Sequence, residues 1–193
     1  MTVPLQTLPL FLLILGSIIL VLSLGWRFAI LALAIQYIGV FWLLAQALPV
    51  GLAAVKLIVG WMAGAVLASS QVNRGEELPL IDLSGRIFRG LVMIFGVIVA
   101  FSVLPAASEW IPVDRSILTG GLILLISGLI QLGLTTDPFR LSVGLLTFLA
   151  GFEMIYAGLV TSVLVIGLLG VINLGVGLAG AYFILSSTPE ETI

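Results

Sequence analysis

Apolar stretches about 20 residues long, the length a helix needs to cross the hydrocarbon core of a bilayer, recur along this chain from one end to the other. A water-soluble globule has no place for so many. Roughly a quarter of a soluble domain is charged, whereas 8% of these 193 residues are charged and 61% are hydrophobic. The strands of an outer-membrane barrel alternate polar and apolar residues, and these stretches do not. The expected fold is an all-α membrane protein of about seven transmembrane helices.

The hydropathy places the spans near Leu8–Gly25, Phe28–Leu48, Val50–Ser69, Ile87–Ala107, Ile117–Thr135, Phe139–Val160 and Val163–Ser186. Most connections are short. Pro49 marks the turn between the second and third spans. In "TTDPFR", Asp137 offers an N-cap and Pro138 a first helical residue for the sixth span. The one long connector, "QVNRGEELPLIDLSGR", divides the chain into three N-terminal helices (1–70), a loop (71–86) and four further helices (87–193). The first apolar run lacks a basic segment before it and a small-residue cleavage site after it. It is expected to be a retained span rather than a signal peptide.

Orientation follows from the basic residues of the short loops. Arg27, Arg74, Arg86, Arg89 and Arg140 fall on one side and Arg115 on the other. The richer side is expected to be cytoplasmic, which puts the N-terminus outside and the "STPEETI" tail inside. A multi-pass protein of a bacterial or archaeal inner membrane is the expected setting.

The chain has no cysteine and no histidine. The usual ligands of haem, iron–sulfur clusters and zinc are therefore missing, and no cofactor or metal is expected. No nucleophile–base constellation and no phosphate-binding loop appears, so no catalytic residue is assigned. The net charge of −2 and the lack of a basic patch leave no footing for nucleic acid.

Only Lys56 and Glu153 lie well inside a span. A charge at the bilayer centre costs about 2.5–3.5 kcal/mol on insertion scales, so such residues face a protein interior or a watery cavity and find a partner. Lys56 follows Pro49 by seven residues, a depth of about 10 Å, and Glu153 precedes the next turn by roughly ten, about 12–15 Å. The two are expected to share a layer in the outer half of the membrane. Asn173 follows Glu153 by twenty residues. A hairpin turning near residue 163 sets them at matching depth on adjacent helices, and an amide can hydrogen-bond a carboxyl in either protonation state. A carboxyl poised between desolvation and a neighbouring ammonium suits a proton relay. The same residues also suit a static clasp that fixes helix register, and the Lys56 stem could instead snorkel towards the interface. Gln36, Tyr37, Gln46, Gln131 and Tyr156 add polar groups within the spans. Gly60 and Gly64, and Gly175, Gly177 and Gly180, read as close-packing positions between helices.

The stretch "LSVGLLTFLAGFEMIYAGLV" resembles the second helix of the K component (chain 4L) of NADH–quinone oxidoreductase. The glutamate of that helix, in a Gly-x-Glu-hydrophobic pattern, matches Gly151, Phe152 and Glu153. "VINLGVGLAGAYFIL" resembles the third helix of the same component, with Asn173 where that family usually has a second acidic residue. Three spans and a loop ahead of this part resemble the layout of the E component of hydrogenase-4, and Lys56 stands where the third-helix lysine of that component is sought. The likeness covers about Leu118–Leu185, with the first three spans matched only by layout. It implies a membrane subunit without its own catalytic centre, set beside antiporter-like subunits in a multi-subunit complex. Glu153 would be the relay carboxylate, Lys56 a coupled charge, and Asn173 a group that orients the carboxyl or a water. A scaffold subunit with a static ion pair and a small independent transporter are the alternatives.

Overall fold

The computed structural model of the chain describes residues 7–22, 25–74, 82–160 and 162–187. They form seven helices: α1 (Thr7–Leu22), α2 (Trp26–Leu44), α3 (Val50–Arg74), α4 (Leu83–Trp110), α5 (Arg115–Gly133), α6 (Pro138–Leu159) and α7 (Val163–Ser186). Among the described residues there is no strand. Six of the helices, α2 to α7, are long and apolar enough to cross a membrane, and the described part of α1 is shorter. This is the make-up of a multi-pass membrane protein.

Local chemistry sets several helix ends. Asp82 caps α4 by accepting from the Gly85 amide at 2.9 Å. Asp114 caps α5 through the Ser116 amide at 2.8 Å, and Asp137 caps α6 through the Arg140 amide at 2.9 Å. Each carboxylate satisfies an amide that the first helical turn leaves without an acceptor. Pro138, lacking an N–H, opens α6 where none is needed. The connector expected over 71–86 is shorter than its sequence suggested: α3 runs on to Arg74, and α4 starts at Leu83, where Asp82 supplies an earlier cap. Residues 75–81, the middle of that connector, lie outside the described residues.

The helices pack as two rows. α1, α2 and α3 stand side by side, as do α5, α6 and α7, and the rows face each other with α1 on α5, α2 on α6 and α3 on α7. α4 stands at one end, against α1 and α5. Neighbours within a row are antiparallel: Gly39 of α2 meets Leu13 of α1 while Gly16 meets Gln36, and Gly121 of α5 meets Ile155 of α6 while Gly144 meets Gln131. Facing helices are parallel, since Gly170, Gly177 and Gly180 of α7 meet Val59, Ala63 and Leu67 of α3 in the same order.

Glycines bring the backbones together at the tightest crossing, α5 on α6. A methyl added at Gly128 would lie 2.6 Å from the Phe148 amide nitrogen, and one at Gly151 would lie 2.6 Å from that of Leu125. Neither helix tolerates a side chain there without moving. Gly60 leaves room for the ring of Tyr37, and Gly64 faces Leu33, so this pair packs α3 onto α2. Gly177 and Gly180 seat α7, whereas a methyl at Gly175 would meet nothing within 4 Å.

Large apolar side chains cover the outside of the bundle. Phe95 on α4, Leu164 and Val171 on α7 and Phe28 on α2 are all exposed. Ser17, Gln36, Lys56, Thr147, Glu153 and Asn173 are buried. Apolar surface outside and polar groups within is the distribution a lipid solvent favours.

Candidate functional site

Lys56, Glu153 and Asn173 come from three helices and meet between the rows. Lys56 sits six residues into α3, and Glu153 six residues before the end of α6, each about 9 Å from its helix end. Because α3 and α6 start at opposite ends of the bundle, these offsets bring the two side chains to one level. Lys56 Nζ lies 2.7 Å from Glu153 Oε2, and each residue is 2% exposed. At that distance the ammonium is paired with the carboxylate, and among the described residues its remaining hydrogens have no second protein acceptor.

Asn173 reaches the carboxylate from α7. Its Nδ2 donates to Oε1 at 3.1 Å and to Oε2 at 3.0 Å, and the residue has no solvent exposure. The α6–α7 hairpin sets them on adjacent antiparallel helices, Glu153 six residues before the end of α6 and Asn173 ten residues past the start of α7. Asn173 Oδ1 is left buried without a partner. Tyr37, on α2, is close enough for the Glu153 charge to act on it, and its hydroxyl is likewise buried and unpartnered. Its ring rests on Gly60, one turn of α3 beyond Lys56.

A second polar group adjoins the first. Gln36, next to Tyr37 in α2, donates through Nε2 to Ser17 Oγ at 2.8 Å. The single hydroxyl hydrogen of Thr147 is shared between the Val143 carbonyl at 2.9 Å and Gln36 Oε1 at 3.3 Å. This chain of contacts ties α1, α2 and α6 together in the middle of the bundle. Towards the far end, Gln131 and Arg140 are buried as well.

The structure thus brings Lys56, Glu153 and Asn173 together, and adds Tyr37 beside them. Gln46 is not part of the cluster. It lies past the end of α2 and bonds the Trp42 carbonyl at 3.3 Å. Tyr156 stacks on Phe152 with ring centres 6.0 Å apart. Ser17 and Thr147 do not stand out in the sequence, because serine and threonine in apolar helices usually satisfy themselves on their own backbone. Among the described residues no group of three or more histidine, cysteine, aspartate or glutamate side chains could hold a metal.

The arrangement holds one carboxylate and one ammonium away from water, with an amide on both carboxylate oxygens. It can store a charge, exchange a proton with a neighbour, or lock three helices in register. What the fold and the site together define is a polytopic helical membrane protein with an ion pair at its core. Comparison with known protein families, characterised proteins and solved structures finds no match to this chain.

Proposed function

We propose that this chain is a membrane subunit of a complex-I-like or group-4-hydrogenase-like assembly and helps couple redox chemistry in other subunits to proton or sodium translocation. The observation that carries the reading is the buried Lys56–Glu153 pair with Asn173 on the carboxylate. The resemblance of Leu118–Leu185 to the K component of NADH–quinone oxidoreductase, and of the whole layout to the E component of hydrogenase-4, supplies the class of complex. All seven helices cross the membrane in this reading, α1 included, with the N-terminus outside and the C-terminus in the cytoplasm of a bacterial or archaeal cell.

Unfilled bonding capacity favours a relay over a static clasp. A cluster that only clasped helices would gain by pairing every donor and acceptor, since a half-satisfied buried network costs stability. Here Asn173 Oδ1 and the Tyr37 hydroxyl have no protein partner among the described residues. Asn173 Oδ1 can accept a hydrogen bond from a water and the Tyr37 hydroxyl can donate one, without first breaking a protein bond. In the relay, a change of charge in an adjoining protein alters the field at Glu153, a proton moves, and Asn173 turns its amide to suit the carboxyl or the carboxylate. The Ser17–Gln36–Thr147 chain offers the next polar step towards the basic end.

The test is isolation of the chain with its partners from native membranes, followed by reconstitution into vesicles. Large antiporter-like subunits should accompany it. Glu153→Gln should leave the complex assembled and remove most of its ion translocation. Native pumping by the assembled variant would leave the scaffold reading standing, and transport by the chain alone would favour the independent transporter.

A further inference from the structure

A second polar site lies at the opposite end of the bundle from the ion pair, and nothing in the relay uses it. A small pocket opens there between α1, α2, α4, α5 and α6, lined by Arg89, Gln131, Thr135, Phe139, Arg140 and Val143 among others. Its cavity volume is about 10 Å³, room for one water-sized group. Arg140 is 8% exposed and Gln131 5%, and both present a buried nitrogen, Arg140 Nη2 and Gln131 Nε2, with no hydrogen-bond partner. Arg89 comes from α4, where its Nη2 donates to the Leu134 carbonyl at 2.7 Å. That bond holds the guanidinium at the pocket and leaves its remaining N–H groups for another acceptor. Thr135 Oγ1 accepts from the Asp137 amide at 3.3 Å, so its hydroxyl hydrogen is also available.

The charge is only partly balanced locally. The carboxylate that acts on Arg140 is Asp137, and Asp137 already accepts from the Arg140 backbone amide as the cap of α6. No ion pair to Arg89 or Arg140 occurs among the described residues. Two cations that repel one another, an amide N–H and a hydroxyl are thus gathered around a space that takes one oxygen atom. Donors outnumber the acceptors, since the Leu134 carbonyl is taken by Arg89 and the Asp137 carboxylate caps α6, and the natural complement is an oxyanion with several oxygens, bonded in the forked manner that guanidinium groups favour.

We propose that this pocket binds a phosphate-class anion, with one oxygen in the cavity between Arg140 and Gln131 and the others at its mouth against Arg89. The site sits in the first turns of α4 and α6, at headgroup level in a spanning bundle, so the phosphate of an anionic phospholipid and free inorganic phosphate both fit this chemistry. It rests on the arginine pocket alone and is independent of the role given to Glu153.

The test uses the full chain, purified and stripped of lipid in a neutral detergent. Its unfolding midpoint is followed against inorganic phosphate and, separately, against phosphatidylglycerol in phosphatidylcholine mixed micelles, with chloride at equal ionic strength as the control. At least one probe should raise the midpoint saturably, and Arg140→Gln should weaken that response about tenfold, the loss of one charge-assisted hydrogen bond. Gln131→Leu, which removes a donor without touching charge, carries the same comparison should Arg140→Gln not fold. A response to phosphate identifies a soluble anion, and a response to phosphatidylglycerol alone identifies a lipid. Failure of both probes to exceed chloride, or an unchanged response in the folded variants, overturns the proposal.

Discussion

At the scale of single residues, Lys56 and Glu153 depend on each other more than on anything around them. Removing one partner of a buried pair strands the other charge and costs about 3–5 kcal/mol, whereas replacing both with apolar residues of similar size is often neutral or stabilising. Lys56→Met alone should therefore depress the unfolding midpoint of the purified chain sharply, and Lys56→Met with Glu153→Met should restore most of it. A double variant as unstable as the single one would mean that the pair is not coupled in this way. Asn173→Leu deletes two hydrogen bonds to a carboxylate. Bonds to charged groups contribute roughly 1.5–3 kcal/mol each, so the same assay should register a loss of about 2 kcal/mol or more. An unchanged midpoint would show that the amide is not seated on the carboxylate.

These three residues are legible in the sequence for different reasons. Lys56 and Glu153 stand out because almost nothing else charged lies inside a span. Asn173 is reached through its distance from the turn. Arg140 reads only as a basic residue of a loop end, which fits its place in the chain but not its burial. Side chains from α5 and α4 enclose it, and no local pattern reports on them.

At the scale of elements, glycine spacing decides how closely helices meet. In lipid no hydrophobic force drives helices together, so close backbone contact takes its place. Gly151 and Gly128 hold the α5–α6 crossing, and Gly151 lies two residues from Glu153. Gly151→Ala or Gly128→Ala must push two backbones apart, an overpacking that costs about 1–3 kcal/mol. Gly175→Ala meets nothing within 4 Å and should be neutral, or stabilising by up to about 1 kcal/mol through helix propensity. Thermal unfolding of the three variants side by side checks this order. Apart from a few polar residues the spans are apolar on every side, so the sequence says little about which neighbour each face of a helix meets. The Gly60–Gly64 spacing announces a close contact, and only the structure assigns it to α2.

At the scale of the whole molecule, two facing rows place the polar groups inside and the apolar groups outside. The described basic residues Arg27, Arg86, Arg89 and Arg140 gather at one end of the bundle, with Arg115 at the other, because successive helices alternate in direction. The proposed orientation puts the first end in the cytoplasm. Cysteine is absent from the chain, so single introduced thiols can be labelled without background. Pro112→Cys in intact cells should react with an impermeant maleimide, and Ser187→Cys only after the membrane is opened. Labelling of both from outside would overturn the proposed topology.

The sequence by itself determined that this chain forms apolar helices and that two charges and an amide are kept among them. Helix length and the cost of a buried charge are local quantities, read residue by residue. The tertiary structure alone decided that Lys56, Glu153 and Asn173 touch, that Tyr37 stands beside them and that two arginines converge at the far end. Those meetings depend on how each helix is rotated and which neighbours it has. Where every face of a helix is apolar, that choice is made by the fit of one backbone against another.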